Sequence, residues 1–385
     1  MFFKNPNNKK VKVRGCTNKM NIDFVEKQKS KILLVINSLK GGGAERVVLT
    51  LGQGFHDLGY EVHVLTFKPQ VEFSLNPNLN YHMLKFKNFK LIPKLDRRDR
   101  VFAYVVDRYI SKKIGKPELI ISNLDRADSI LSYSRLSNIT YVIHNTVSLL
   151  YGFNIKDNHE KKIKFSKIYS KHPCICVSQG AEKDFIKSFG QITPTTAIYN
   201  PIDKDSIQEQ AKAFIPEYQN YIIHVGSFKD AKRHDVLVKA YAKTDQSMPL
   251  LLLGQGKYKD DIEQLVKNLN IKDKVIFLGF QENPFPYIKH AQFKVLTSDW
   301  EGFALVIAEA LVLNTPVIST DCPSGPSELL PQKNLMPMGD VDAIADTLSQ
   351  AMENPEQFQA PFDEALLPAK IAEKYLHFVQ SIKQK

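Results

Sequence analysis

Residues 293–311, FKVLTSDWEGFALVIAEAL, carry a strand signal and a helix signal within one short stretch. The apolar and β-branched start, from Phe293 to Thr297, predicts a buried strand. Apolar residues at three- and four-residue steps from Leu305 onward predict a helix. Residues 301–304, Glu-Gly-Phe-Ala, are therefore predicted to form the turn at which the strand ends and the helix begins.

This turn combines an anion-binding helix start with two carboxylates. The free N–H groups of a helix start, together with the positive end of its dipole, bind anions. Glu301 would lie at the mouth of such a site and Glu309 about two turns deeper. Carboxylates accept hydrogen bonds from sugar hydroxyls, so the pattern predicts a nucleotide-sugar site. The spacing alone fits equally well a Glu that complements the dipole and an unrelated surface Glu.

Length and composition indicate a two-domain globular protein. The chain has 385 residues, more than one core usually organises. Without a run of eighteen apolar residues no transmembrane helix is predicted, and the basic N-terminus lacks the apolar segment of a secretory signal. Cys174 and Cys176, one residue apart in an apolar run, are predicted to be buried thiols rather than metal ligands. A reducing cytoplasm fits this cysteine usage.

Positive charge is concentrated in the first half of the chain. The formal net charge is +11, and residues 1–30 carry eight Lys or Arg against two acids. This segment is predicted to be a disordered tail, in which Met20 is an alternative start. Further basic clusters occupy residues 83–116, where aromatic residues are interleaved, and residues 156–171. Such clusters suit an anionic membrane surface or a nucleic acid, and solvated lysines explain any single cluster as well.

Strand and helix signals alternate in two series, one in residues 31–200 and one in residues 201–360. Continuous apolar runs such as residues 31–37 are typical of parallel strands. Residues 201–218 are polar and are predicted to be a linker, and residues 361–385 are predicted to form a C-terminal helix. The fold class is therefore α/β, with two Rossmann-like, doubly wound parallel-sheet domains. Ligands are expected in the cleft between them, beyond the carboxyl ends of the strands.

Two other strand-to-helix turns carry candidate ligand contacts. Gly41-Gly42-Gly43 follows the first strand, and glycines let the backbone approach a ligand closely. The triplet matches neither the dinucleotide fingerprint nor a P-loop, so a glycine-rich loop without a ligand remains an alternative. In the second turn, residues 226–233, Lys232 or Arg233 is placed to reach a diphosphate. A single loop lysine is often simply solvated.

Several short segments, taken in order, resemble the family 4 retaining glycosyltransferases. The matching segments are residues 41–45, 177–180, 199–203, 225–226 with Lys232, 253–256, 277–280 and Glu301 with Glu309. The resemblance covers residues 31–385 and implies the GT-B fold, in which two Rossmann-like domains face each other across a cleft. Residues 321–328 further resemble bacterial members that build lipopolysaccharide and capsule.

The resemblance implies a role for each candidate residue. Glu301, His144 and Lys232 would be the catalytic residues: Glu301 would contact the hydroxyls of the donor sugar, His144 would point at the transferred sugar, and Lys232 would neutralise the diphosphate. Glu309 would hold the ribose hydroxyls. The remaining nucleotide-sugar contacts would come from Gly42, Gly43, Ser227, Gly302, Phe303, Ala304 and Leu305, largely through backbone N–H groups.

Ser227 departs from the family pattern. Many members have an Arg directly after the glycine of this turn, here Gly226. Neutralisation of the diphosphate would then rest on Lys232, with Arg233 or Lys229 and the helix dipole.

The prediction is a retaining, metal-independent glycosyltransferase that moves a hexose from a nucleotide sugar, expected to be UDP-linked. The acceptor would be a bacterial surface glycan or glycolipid such as lipopolysaccharide core or capsule. The nucleotide sugar is a substrate, and no cofactor is expected. The Asp-x-Asp triplets at residues 203–205 and 340–342 lie away from predicted strand ends and are not expected to bind metal.

The N-terminal domain would bind the acceptor and the C-terminal domain the donor. The enzyme is expected in the cytoplasm, peripheral at the anionic inner face of the plasma membrane, with no nucleic-acid partner. The alternatives are a GT-B nucleotide-sugar epimerase and, more remotely, a non-enzymatic nucleic-acid binder.

Overall fold

The structure, a computed structural model, describes residues 29–72, 74–85, 95–153 and 158–384. The predicted disordered tail lies almost entirely outside the described residues. So does most of the basic and aromatic segment between Leu84 and Leu91.

Among the described residues, the N-terminal half contains a seven-stranded sheet in which every paired strand is parallel. The strands are β1 (Lys31–Ile36), β2 (Glu61–Thr66), β3 (Asn80–Met83), β4 (Leu119–Asn123), β5 (Ile139–Ile143), β6 (Cys174–Cys176) and β7 (Thr195–Ala197). Their spatial order is β3-β2-β1-β4-β5-β6-β7. Ile32 on the central strand β1 lies opposite Val62 on one side and Leu119 on the other.

The C-terminal half contains a six-stranded sheet with the same kind of order, β10-β9-β8-β11-β12-β13, and again every paired strand is parallel. The strands are β8 (Ile222–Val225), β9 (Leu250–Leu253), β10 (Val275–Gly279), β11 (Phe293–Leu296), β12 (Val317–Thr320) and β13 (Leu335–Met336). Both sheets reverse their winding beside a central strand, between β1 and β4 and between β8 and β11. Ligand sites of open α/β sheets form at such points.

Helices connect the strands on both faces of each sheet. Those of the first half are α1 (Gly43–Asp57), α2 (Leu95–Tyr109), α3 (Asp125–Leu131), α4 (Val147–Tyr151), α5 (His159–Tyr169) and α6 (Gln179–Phe189). Those that follow are α7 (Lys204–Gln210), α8 (His234–Tyr241), α9 (Lys259–Asn268), α10 (Phe285–Lys289), α11 (Leu305–Val312), α12 (Pro326–Leu329), α13 (Val341–Glu353) and α14 (Pro368–Lys383). A π-helical segment, Ile110–Ile114, extends α2.

Strand β1 is apolar without alternation because both of its faces pack in a hydrophobic core. Ile32, Leu34 and Ile36 pack in a core that continues across the domain boundary to α11. Leu33 and Val35 point to the opposite face and pack in a separate core with α2, α3 and α5. Both faces of the sheet are thus covered by protein, and the predicted α/β architecture of two doubly wound parallel sheets is confirmed.

The predicted linker is partly helical. Asp203 accepts a hydrogen bond from the N–H of Ser206 at 3.0 Å, which caps α7, and Ile207 of this helix is buried. The polar composition of residues 201–218 therefore reflects a short amphipathic helix rather than an extended connection. At the other end of the chain, α14 packs on α1: the rings of Phe55 and Tyr375 are 6.3 Å apart.

Candidate active site

Neighbouring strands bring two of the predicted turns together. Strands β8 and β11 pair in the sheet, so the turns at their carboxyl ends lie side by side. In the turn after β11, Ala304 has the left-handed values φ 61° and ψ 57° and is the N-cap of α11. The helix therefore begins at Leu305, as the spacing predicted. Its first N–H groups are left without helical partners at the end of the sheet where ligands bind.

Glu301 and Lys232 form an ion pair in this corner. Lys232 Nζ donates to Glu301 Oε1 at 2.5 Å, and the hydroxyl of Ser298 donates to the same oxygen at 2.6 Å. The side chains of Lys232 and Glu301 are 19% and 11% exposed, so the pair is largely shielded from solvent. Because both bonds use Oε1, Oε2 is the oxygen that can accept a hydroxyl from a ligand.

Glu309 is bonded to the opposite domain. Arg46 Nη1 donates to Glu309 Oε1 at 2.5 Å, and the Glu309 side chain is only 5% exposed. Arg46 lies near the start of α1, just after the glycine triplet. The carboxylate predicted to hold ribose hydroxyls thus accepts from a guanidinium in this structure. Arg46 was missed from the sequence, since its nearness to Glu309 depends on how the two domains face each other.

Lys294 is a second charged residue that the sequence analysis did not single out. Its side chain is fully buried in β11, and its Nζ has no hydrogen-bond partner among the described residues. Burial lowers the pKa of this amine to about 7, although the nearby Glu309 carboxylate favours the charged form. The available sequence signal was a lysine inside an apolar run. The run still predicts a buried strand, so the lysine was not singled out.

The glycine triplet approaches the start of α11 from the other domain. Gly42 is the N-cap of α1, and a side-chain carbon placed on Gly43 would lie 3.2 Å from Leu305 Cδ1. The N-termini of α1 and α11 therefore face one another. The N–H of Gly41 donates to Glu72 Oε2 at 3.1 Å, so a protein carboxylate already binds at this loop.

His144 lies at the end of β5 beside the same turn. Its Nε2 is 2.9 Å from Asn123 Oδ1, while the Asn123 side-chain amide donates to the carbonyls of Val35 and Ile121 at 3.3 Å. This orientation makes Nε2 the protonated nitrogen and leaves the lone pair on Nδ1. Burial lowers the pKa of His144 to about 4, so the ring is neutral at neutral pH.

The cleft is closed around residues 301–304. Thr146 Oγ1 donates to the carbonyl of Glu301 at 2.8 Å, and Ser178 Oγ donates to the carbonyl of Gly302 at 2.6 Å. Glu328 accepts from the N–H groups of Gln179 and Gly180 at 2.8 and 2.9 Å, which caps α6 from the opposite domain. The segment 321–328 therefore joins the domains.

The other residues predicted to contact the nucleotide sugar differ in how available they are to a ligand. Arg233 donates to Asp235 at 3.0 Å and to Asp299 at 2.9 Å, so its charge is already compensated. Ser227 lies in the turn after β8, and its carbonyl accepts from the N–H of Lys229 at 2.7 Å. Phe303 packs on Tyr199 with ring centroids 5.4 Å apart, which leaves its backbone rather than its ring for a ligand.

The Asp-x-Asp triplets have structural explanations in helix capping. Asp203 caps α7, and Asp340 caps α13 by accepting from the N–H groups of Asp342 and Ala343 at 3.1 and 3.0 Å. In the part of the chain that the structure describes, no three His, Cys, Asp or Glu residues are grouped to hold a metal ion. The described helices also include none with the length and apolar character that a membrane crossing requires.

Known protein families match both halves of the chain. The model for Glycosyltransferase Family 4 matches residues 41–206, and the model for Glycosyl transferases group 1 matches residues 205–365. One similar protein is N-acetylgalactosamine-N,N'-diacetylbacillosaminyl-diphospho-undecaprenol 4-alpha-N-acetylgalactosaminyltransferase of Campylobacter jejuni. It is 31% identical over 306 residues, which cover 78% of this chain and 83% of that protein.

Solved structures share the fold. HepE of Anabaena, in complex with UDP and glucose, has a TM-score of 0.68 at 18% identity, covering 92% of this chain and 98% of its own. The lipopolysaccharide outer core galactosyltransferase WaaB, in its apo form, also has a TM-score of 0.68 at 18% identity, covering 91% and 99%. These similarities confirm the GT-B fold that the sequence predicted.

Proposed function

The chain belongs to family 4 of the glycosyltransferases, and from this we propose that it transfers a hexose from a UDP-linked sugar to a lipid-linked or lipopolysaccharide-type bacterial surface glycan. We further propose that the transfer retains the configuration at the sugar and requires no metal ion. The observation that carries the proposal is the Lys232–Glu301 pair at the start of α11, opposite Gly43.

The donor site follows from what each of these groups can bind. The nucleoside diphosphate would lie between the facing starts of α1 and α11, where free N–H groups point at an anion. Lys232 would bind the diphosphate and stabilise the charge that develops as the sugar–phosphate bond breaks. Glu301 Oε2 would accept from a hydroxyl of the sugar, and Glu309 from the ribose.

The chemistry proposed at the sugar uses no protein nucleophile. Glu301 is engaged by Lys232 and Ser298, and neutral His144 is held by Asn123 through Nε2. The acceptor hydroxyl would form its bond to the anomeric carbon on the face from which the diphosphate leaves. Its proton would pass to the leaving phosphate oxygen, and His144 would position the sugar through its Nδ1 lone pair. The solved HepE complex, which contains UDP and glucose, is the precedent in this fold for a uridine donor.

A lipid-linked acceptor is supported by the outer surface of the N-terminal half. Helices α2 and α5 pack on the same core and expose Val101, Tyr104 and Ile163 beside basic residues. Exposed basic residues lie on both helices and on the π-helical segment that extends α2. They are Arg97, Arg100, Arg108, Lys112, Lys113, Lys161, Lys164 and Lys167. Apolar and basic groups together suit an anionic bilayer surface. The name of the Campylobacter relative includes a diphospho-undecaprenol carrier.

A transfer assay with radiolabelled sugars tests the proposal. Purified protein is incubated with UDP-linked hexoses and hexosamines and with an undecaprenyl-diphosphate-linked glycan, and the product is extracted and its anomeric configuration determined. We expect a new glycan that depends on the acceptor and retains the donor's configuration. Conversion of the donor sugar without an acceptor would instead indicate an epimerase. No product with any nucleotide sugar, or an inverted product, would contradict the proposal.

A further inference from the structure

Three polar groups of the candidate donor site are already bonded to protein partners. Lys232 is bonded to Glu301, the N–H of Gly41 to Glu72, and Arg46 to Glu309. In the proposed function, the donor would place a hydroxyl or a phosphate at each of these positions. Donor binding therefore has to exchange at least one of these partners.

Arg46 is more easily exchanged than Lys232, whose side chain is 19% exposed. The Arg46 side chain is 40% exposed, whereas the Glu309 side chain to which it donates is 5% exposed. The guanidinium also lies over the ring of Phe285, 5.7 Å from the centroid. An exposed arginine keeps its hydration when it leaves, so the exchange costs less than it would for a buried one.

Lys294 is the other basic side chain near Glu309 when Arg46 leaves. Lys294, on the strand that precedes α11, is completely buried, and its Nζ is without a hydrogen-bond partner among the described residues. The Glu309 carboxylate is near enough to favour the charged form of this amine. Once Arg46 has left, the two oxygens of the Glu309 side chain can accept hydrogen bonds from ribose hydroxyls.

The diphosphate, in turn, needs a second cation. A leaving nucleoside diphosphate carries at least two negative charges, and Lys232 provides one compensating charge. Arg233 is held by Asp235 and Asp299. Arg46 projects from the first turn of α1, whose N-terminus faces that of α11 at Gly43 and Leu305. Glu309 is four residues after Leu305, so its Cα is about 6 Å along the helix axis from the start of α11.

We propose that Arg46 changes partners when the donor binds, yielding Glu309 to the ribose hydroxyls and turning to the diphosphate as its second cation. This inference rests on the proposed function of the site. It makes Arg46 a diphosphate-binding residue supplied by the N-terminal half, and a bidentate guanidinium suits that ligand. Closure of the cleft would thereby be coupled to the presence of the diphosphate.

The proposed exchange predicts that substituting Arg46 affects the binding of UDP and of uridine differently. Removing the guanidinium deletes a contact to the diphosphate, so UDP should bind more weakly by roughly 10- to 100-fold. The same change frees Glu309, so uridine, which has no phosphate, should bind equally well or more tightly. A lysine keeps the charge but not the bidentate geometry, so it should preserve part of the UDP affinity.

The test measures UDP by calorimetry and uridine by ligand-detected NMR with wild type, Arg46→Gln and Arg46→Lys. The expected result is a selective loss of UDP affinity in Arg46→Gln, and a smaller loss in Arg46→Lys. Unchanged or stronger UDP binding in Arg46→Gln, or an equal loss for both ligands, would overturn the inference while leaving the proposed function intact. If wild type binds neither UDP nor any UDP-sugar, the proposed function itself fails.

Discussion

Lys232 Nζ lies 2.5 Å from Glu301 Oε1 in a corner where both side chains are less than one-fifth exposed. Sixty-nine residues separate them in the chain. They meet because β8 and β11 are adjacent and their turns share the carboxyl edge of the sheet. In the proposed donor site, this pair would place the acid at a sugar hydroxyl and the cation at a phosphate, on either side of the bond that breaks.

Replacing the cation of this pair should impair the chemical step. Lys232→Met removes the charge that stabilises the leaving diphosphate, so kcat at saturating donor should fall by roughly 100- to 1,000-fold. Lys239→Met on α8 is the matched control, because Lys239 is 47% exposed and only pairs loosely with Asp235 at 3.8 Å. Steady-state kinetics of both variants check the prediction. A Lys232→Met enzyme with the kcat of the control would exclude Lys232 from the diphosphate site.

The buried amine of Lys294 should make stability depend on pH. Its pKa is lowered from 10.5 to about 7, so between these values the unfolded chain binds more protons than the native protein. The native state is therefore penalised below about pH 7, and the penalty disappears as the pH rises toward 10.5. The slope is at most about 1.4 kcal/mol per pH unit.

The substitution Lys294→Met removes this pH dependence of stability, so a comparison of the variant with wild type measures its size. Melting temperatures of wild type and Lys294→Met are compared from pH 6 to 9.5, with the exposed Lys239→Met as a control. We expect the variant to be the more stable at pH 6 and the difference to shrink as the pH rises. A difference that is constant over this range would mean that Lys294 is not neutral in the folded protein above its lowered pKa.

Closure of the cleft should depend on Gly302. A side-chain carbon at this position would lie 2.0 Å from the carbonyl oxygen of His144, which is backbone of the opposite domain and cannot move aside. Gly302→Ala should therefore hold the domains apart, enlarge the radius of gyration in X-ray scattering and lower kcat/KM by about 100-fold.

Gly41→Ala is the control for this change, since its added carbon meets only the carboxylate end of Glu72, at 2.8 Å. That side chain can rotate away, so the control should keep the radius of gyration of wild type. Equal compactness of Gly302→Ala and wild type would show that the closed contact is not required.

Binding to membranes should depend on the positive charge of α2 and of the π-helical segment that extends it. Arg108 and Lys112 are exposed near Tyr104 on this surface. Converting both to Gln removes two charges worth about 1 kcal/mol each near an anionic bilayer, or roughly 30-fold in binding. Flotation with vesicles containing 30% anionic lipid gives the measurement. The exposed Lys267 and Lys272 of the C-terminal half, changed together, are the control, and an equal loss in both would contradict the assignment of this surface.

The architecture could be predicted because parallel strands buried on both faces have continuous apolar sequences. Strand β3 lacked that signal, since Asn80–Met83 lies at the sheet edge and is partly exposed. The helix α7 was hidden in a polar stretch, and within the helix itself Ile207 is the one buried residue. Edge strands and short surface helices bury too little for a pattern to form.

The candidate site was predictable only within each domain. The turn at residues 301–304 and the nearness of Lys232 follow from strand order and helix start. The bond from Arg46 to Glu309 depends on how two separately folded sheets face each other, which local periodicity does not encode. Lys294 was hidden for a different reason: one charged residue does not alter the strand pattern around it.

A crystal structure with a non-hydrolysable UDP-sugar tests the central claim most directly. The prediction is a diphosphate bonded to the N–H groups at the start of α11 and to Lys232, a sugar hydroxyl on Glu301 Oε2, and ribose hydroxyls on Glu309. A donor bound away from residues 301–309, with the Lys232–Glu301 and Arg46–Glu309 pairs intact, would contradict the account.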